Sequence, residues 1–128
     1  MDKKTILVVD DEQYYLEIFS AKLKAAGYSV ETAENGVQAV EKARQLKPDL
    51  ILMDVRMSGM DGVETLSQIK KDPELKNLKV LFLTSLGGGH DNARSLDDSF
   101  AKQVGAEGYL QKGEDLDVLV QRVRSIIY

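Results

Sequence analysis

Leu50-Ile51-Leu52-Met53-Asp54-Val55-Arg56-Met57-Ser58-Gly59-Met60-Asp61-Gly62 decides the fold: four apolar residues run straight into Asp54 and then into a glycine-bearing turn. A continuous apolar run of this length reads as a strand buried on both faces, so its end opens onto a loop where the first polar side chain meets water. That side chain is Asp54. An aspartate at a strand end has an ordinary explanation, because Asp starts turns by bonding nearby backbone N–H groups. A second run, Val8-Val9 into Asp10-Asp11-Glu12, ends the same way and argues for a shared site.

Working outward, strands and helices alternate five times. Residues 5–10 read as the first strand, and Glu12 to Ala26 as a helix with Leu16, Phe19, Leu23 and Ala26 at helical spacing, stopped by Gly27. Residues 28–33 alternate as a strand, and Asn35-Gly36 opens a helix with Ala39, Val40, Ala43 and Leu46 on its apolar side, before Pro48. Residues 49–53 form the third strand, Val63, Leu66 and Ile69 mark the third helix, and Asp72-Pro73 ends it. Residues 79–84 are the fourth strand. Leu96, Phe100 and Val104 mark a fourth helix stopped by Gly105, residues 107–111 a short fifth strand, and Leu116, Leu119, Val123 and Ile127 the last helix. This alternation predicts a doubly wound α/β fold, a five-stranded parallel sheet with helices on both faces, over one domain spanning residues 1–128.

Composition narrows the function. The 43% hydrophobic and 30% charged residues fit a globular domain, and a net charge of −4 argues against broad nucleic-acid binding, which needs Lys and Arg to neutralise phosphates. Without cysteine there is no disulfide, thiolate catalysis or Cys-zinc site, and His90, the single histidine, makes no metal cluster. Any metal site is built from oxygen. No apolar run approaches the roughly 20 residues that span a bilayer, and the first residues do not form a signal peptide, so a cytoplasmic location without membrane contact is expected.

In a doubly wound fold, right-handed crossovers bring the carboxyl ends of the strands to one edge, where ligands bind. Asp10, Asp11, Asp54, Thr84 and Lys112 all fall at or just after those ends. With Met57 and Met60-Asp61-Gly62 behind Asp54, and Gly108-Tyr109 ahead of Lys112, the chain resembles the receiver domains of two-component response regulators over essentially its whole length. The resemblance implies the flavodoxin-like strand order 2-1-3-4-5 and a phosphoacceptor role for Asp54, with a histidine kinase or phosphotransfer protein as donor. It also implies Mg2+, held by Asp11, Asp54 and the backbone carbonyl of Arg56, with Asp10 acting mostly through water. Converging carboxylates repel by roughly 4 kcal/mol per close pair at an effective dielectric near 20, and magnesium suits such an all-oxygen site. A charged helix N-terminus is the ordinary alternative for Asp10-Asp11-Glu12.

By the same resemblance, Lys112 lends positive charge to the phosphate and Thr84 a hydrogen bond. Tyr109 is the switch aromatic, and a downstream protein docks on the face of the fourth helix, fifth strand and fifth helix. A surface lysine and a core tyrosine are the ordinary readings of Lys112 and Tyr109. The protein is then a phosphorylated signalling switch rather than an enzyme, a single-domain regulator, monomeric or a weak homodimer, that does not itself bind DNA. The alternative is a receiver-like interaction module that is not phosphorylated. A flavin carrier would need a phosphate loop where Asp10-Asp11-Glu12 stands, and a phosphatase with a nucleophilic Asp would need an Asp-X-Asp that is absent.

Three departures from the family pattern stand out. Gly113 follows Lys112 where proline with a cis bond is usual, and a non-proline cis bond costs about 2.5 to 4 kcal/mol, so a trans bond or a different loop is expected. Ser58 also replaces a proline and is expected to loosen the loop without removing a ligand. The segment Ser85 to Asn92, with Gly87, Gly88 and Gly89, is several residues longer than usual. A surface loop is its ordinary reading, and His90 within it is read as solvated. As a flap beside the site, this loop would alter phosphate lifetime or partner access. Shortening it to typical length is then expected to change dephosphorylation or transfer rates, and unchanged rates in a phosphate-release assay would refute that role.

Overall fold

The computed structural model describes residues 3–85 and 98–128; the Gly87 to Gly89 loop, His90 and Leu96 lie outside the described residues. The elements follow the expected alternation: β1 (Thr5–Val9), α1 (Gln13–Ala25), β2 (Ser29–Ala33), α2 (Gly36–Leu46), β3 (Leu50–Asp54), α3 (Gly62–Lys71), β4 (Val80–Thr84), α4 (Asp98–Gln103), β5 (Gly108–Gln111) and α5 (Leu116–Ile127). All strand pairs are parallel and the sheet order is β2-β1-β3-β4-β5, as the resemblance implied.

Side chains on a strand alternate between faces, and this alternation builds two cores. Leu7 and Val9 of β1, Ile51 and Met53 of β3, and Val80 and Phe82 of β4 pack with Ala39, Ala43, Leu66, Ile69 and Ala101 of α2, α3 and α4. Ile6 and Val8, Leu50 and Leu52, and Leu81 and Leu83 pack on the opposite face with Leu16, Phe19 and Leu23 of α1 and Leu119 and Val123 of α5. β1, β3 and β4 are buried on both faces because helices cover both, which is why they read as unbroken apolar runs. β2 lies at the edge and alternates exposed and half-buried positions until Ala33.

Local signals set the helix ends. Asn35 caps α2 by accepting from the Gln38 N–H. Asp61 and Glu64 form a reciprocal capping box at α3, and Asp115 caps α5 through the Asp117 N–H. Gly27 has a φ of +103°, the left-handed turn that ends α1. α2 ends at Leu46, and Lys47, which caps it just before Pro48, adopts a positive φ of 45°. The fourth helix ends at Gln103, with Val104 in the closing turn and Gly105, at a φ of 101°, stopping it as expected; among the described residues of the helix, Ala101 is fully buried and Phe100 only partly. No helix among the described residues is long and apolar enough to cross a membrane.

The tightest junction lies behind β3. The Gly62 N–H donates to the Val55 carbonyl at 2.8 Å, drawing the start of α3 onto the strand end. A Cβ at Gly62 would stand 2.3 Å from the Asp54 carbonyl oxygen and 2.9 Å from the Val55 Cα, backbone atoms that cannot rotate away. Gly62→Ala is therefore expected to destabilise the fold by about 1–3 kcal/mol, as overpacking does. A lowered denaturation midpoint checks this, and an unchanged midpoint would mean that the loop yields freely.

Candidate functional site

Strand alternation also sorts the polar residues at the sheet's carboxyl edge. Asp54 continues the face of Leu50 and Leu52, Asp10 continues that of Ile6 and Val8, and Lys112 continues that of Leu110, all on the α1/α5 side. Their side chains meet: Lys112 Nζ lies 2.8 Å from Asp10 Oδ2 and 3.6 Å from Asp54 Oδ1, and all three are almost fully buried. Glu12 Oε1 stands 3.6 Å from the same ammonium at the solvent edge. Asp10 Oδ1 accepts from the Glu12 N–H at 2.9 Å, while Oδ2 has Lys112 as its counter-charge and, among the described residues, accepts no other hydrogen bond.

Lys112 is positioned by its backbone and by one aromatic ring. Its N–H donates to the Thr84 carbonyl at 2.8 Å, extending the β4–β5 ladder, and the Glu114 N–H closes a turn onto the Gln111 carbonyl at 3.2 Å. Every described peptide bond is trans, so Gly113 sits in this turn without the cis bond usual in the family. The ammonium lies 4.0 Å from the centroid of the Tyr15 ring, which in turn stacks on Phe19 at 5.5 Å. Tyr15 was not legible as a site residue, because four-residue spacing to Phe19 signals only an apolar helix face. Burial pulls the Lys112 pKa down, but Asp10, Asp54 and Glu12 outweigh it and hold the amine above its ordinary range, so it is an ammonium.

Asp54 has the opposite imbalance. Burial and the Asp10 charge push its pKa up to about 7, against the pull of Lys112 and of the Arg56 backbone N–H, with Asp11 adding a smaller upward push. Two buried carboxylates share one ammonium, and the group lacks positive charge. Asp10, Asp11 and Glu12 each offer a carboxylate oxygen, all within 4.8 Å of one another, so hard oxygen donors in excess of their counter-charge fit a divalent cation such as magnesium.

Asp11 is exposed and reaches across to the β3–α3 loop: its Oδ2 accepts from the Ser58 N–H at 3.1 Å and lies 3.4 Å from the Ser58 hydroxyl. A proline there could donate neither bond. Asp11, Arg56, Ser58, Gly59 and Asp61 line an open groove beside the acidic cluster.

Thr84 and Tyr109 fall on the other side of the sheet. Thr84 continues the face of Val80 and Phe82, and Tyr109, paired with Phe82, is half-buried against the α2/α3/α4 core. Among the described residues the Thr84 hydroxyl makes a 3.4 Å contact to the Ser85 carbonyl, a long bond that is readily exchanged. The Tyr109 carbonyl accepts from Arg122 of α5 at 3.5 Å.

Comparison with known proteins agrees with this fold. The family model described as the response regulator receiver domain matches residues 6–124. The DNA-binding dual master transcriptional regulator RpaA of Synechocystis is 33% identical over 95% of this chain, which spans only 48% of that protein. Protein PilH of Pseudomonas aeruginosa is 34% identical, with 95% of this chain and 96% of PilH covered. The chemotaxis protein CheY4 of Vibrio cholerae superposes with a TM-score of 0.83 at 29% identity, covering 98% of this chain and 99% of its own.

The raised Asp54 pKa carries a stability consequence with a definite sign. Protonated Asp54 favours the fold, a contribution fully present below about pH 4 and lost as pH rises toward 7. Asp54→Asn, which cannot ionise, is expected to stabilise the magnesium-free protein by a few kcal/mol above pH 7, at about 1.4 kcal/mol per tenfold in proton affinity, and by little near pH 4. Magnesium should stabilise the unsubstituted protein over the same upper range. Denaturation midpoints against pH test this, and equal midpoints for both proteins at pH 8 would refute it.

Proposed function

The chain belongs to the response regulator receiver family, and from that premise we propose that it is a phosphoacceptor switch whose nucleophile is Asp54. The observation that carries this reading is the buried Lys112 ammonium, 3.6 Å from Asp54 and 2.8 Å from Asp10, at the carboxyl edge of a parallel sheet. The donor is a phosphohistidine on a histidine kinase or phosphotransfer protein. An Asp54 carboxylate oxygen attacks phosphorus, the phosphorus–nitrogen bond breaks, and the imidazole leaves with the bonding pair, giving an aspartyl phosphate. Water attack on phosphorus later restores the carboxylate.

Phosphoryl transfer demands positioning and charge neutralisation more than covalent help from the protein. Lys112 supplies the first fixed positive charge, held in register by Asp10 and Tyr15. Asp11, Asp54 and the Arg56 carbonyl are the proposed Mg2+ ligands, with Asp10 acting through water since its two oxygens already serve Glu12 and Lys112. When bound, the cation neutralises the phosphoryl oxygens and the excess carboxylate charge.

Once the phosphate is in place, the Thr84 hydroxyl exchanges its long bond to Ser85 for a phosphate oxygen. Thr84 and Tyr109 share the α3/α4 side of the sheet, so this shift frees space for Tyr109 to turn inward and alters the α4, β5 and α5 face that a partner protein reads. A near-complete switch needs about 5.5 kcal/mol of preferential stabilisation by the phosphate.

Incubation with Mg2+ and a small acyl phosphate should raise the intact mass by one phosphoryl group, and Asp54→Asn should abolish the adduct. Lys112→Ala should slow its formation at least about tenfold. The absence of an adduct with any donor would favour the unphosphorylated interaction module instead.

A further inference from the structure

We propose that Ser58 is a positioning residue for the cation site, holding Asp11 and the Arg56-bearing loop together before magnesium arrives. The inference rests on the cation site proposed above, and it concerns a residue that stands where the family usually has proline. Asp11 lies just after β1 and Ser58 on the loop after β3, 47 residues apart in sequence, yet the Asp11 Oδ2 accepts from the Ser58 N–H at 3.1 Å and is 3.4 Å from its hydroxyl. These are the segments that a cation at the sheet edge bridges, because one carries Asp11 and the other Asp54 and Arg56.

A carboxylate has two oxygens and about four lone-pair directions. With Oδ2 engaged by Ser58, Oδ1 remains for a metal ion, and the hydrogen bonds fix the carboxylate's orientation beside Asp10 and Glu12, whose ligand oxygens lie within 4.8 Å. Outer contacts of this kind orient a ligand. They also lower the ordering cost of binding, since the exposed Asp11 side chain and the loop are already docked. The bond depends on residue type: proline has no N–H and no hydroxyl, so it would leave Asp11 without either partner.

Magnesium titration by calorimetry on the full chain tests this without reference to phosphorylation. Ser58→Pro should weaken Mg2+ binding about tenfold, Ser58→Ala, which keeps the shorter N–H bond, should weaken it less, and Ser58→Thr should match the original residue. In phosphorylation assays the Mg2+ concentration for half-maximal rate should rise in Ser58→Pro while the rate at saturating Mg2+ holds, a split that general damage to the fold would not give. Ser58→Pro binding Mg2+ as tightly as the unsubstituted chain, or more tightly, overturns the proposal while leaving the phosphoacceptor reading intact. A chain with Ser58 that binds no Mg2+ overturns both. Where Ser58→Pro does not fold, amide exchange decides: the Ser58 N–H should stay protected when Mg2+ is added, and loss of protection would show that the bond is surrendered to the metal.

Discussion

One buried ammonium serving two buried carboxylates is the constraint on which the rest of the site depends. Burying a charge is expensive unless it is paired, and removing one partner from such a group leaves the others exposed to that cost. Lys112, Asp10 and Asp54 are all almost wholly withdrawn from water, so each constrains the others. The pairing is also incomplete, because Asp54 is pushed toward neutrality while Lys112 is held firmly charged. A site with one carboxylate in excess suits the proposed role, in which a cation and then a phosphoryl group each change the local charge balance.

The parallel sheet supplies this arrangement through its two-residue period. Ile6, Val8 and Asp10, Leu50, Leu52 and Asp54, and Leu110 and Lys112 are successive same-face positions on three strands. The apolar members anchor each strand against α1 and α5, and the polar member follows where the helices stop covering the edge. Thr84 and Tyr109 are out of phase by one residue and so fall on the other side of the sheet, where Tyr109 packs against the α2/α3/α4 core. The Asp10–Asp54–Lys112 cluster and the Thr84–Tyr109 pair thus occupy opposite faces of one sheet, with the β4–β5 ladder, including the Lys112 N–H to Thr84 carbonyl bond, joining them.

Much of this was legible from residue order. The strand ends at Asp10 and Asp54 announced themselves because burial on both faces forces an unbroken apolar run before the first polar residue. The helix start at Asn35 was legible too, because a side-chain acceptor there satisfies a backbone N–H of the first turn. Contacts made across the fold were not: Tyr15 over Lys112 and Ser58 against Asp11 join segments far apart in sequence, and neither residue type signals such a role alone. Gly113 shows a related limit, since a turn closed by Glu114 onto Gln111 directs Lys112 inward without the usual proline. The stop of α4 at Gly105 was legible as well, because a glycine there takes the positive φ of 101° that closes the last turn.

The Tyr15 ring lying over Lys112 has a consequence for how the protein responds to ionic strength. Dissolved ions weaken interactions between exposed charges beyond roughly 8 Å at physiological salt, but they reach a covered pair poorly. With one side of the ammonium capped by an aromatic face and the others by carboxylates, added salt leaves the Lys112–Asp10 attraction nearly untouched. Exposed pairs such as Lys47 with Glu74 have no such cover. The site therefore keeps its internal electrostatics over a wide range of salt, and salt acts chiefly on the long-range attraction that brings a charged partner to the surface.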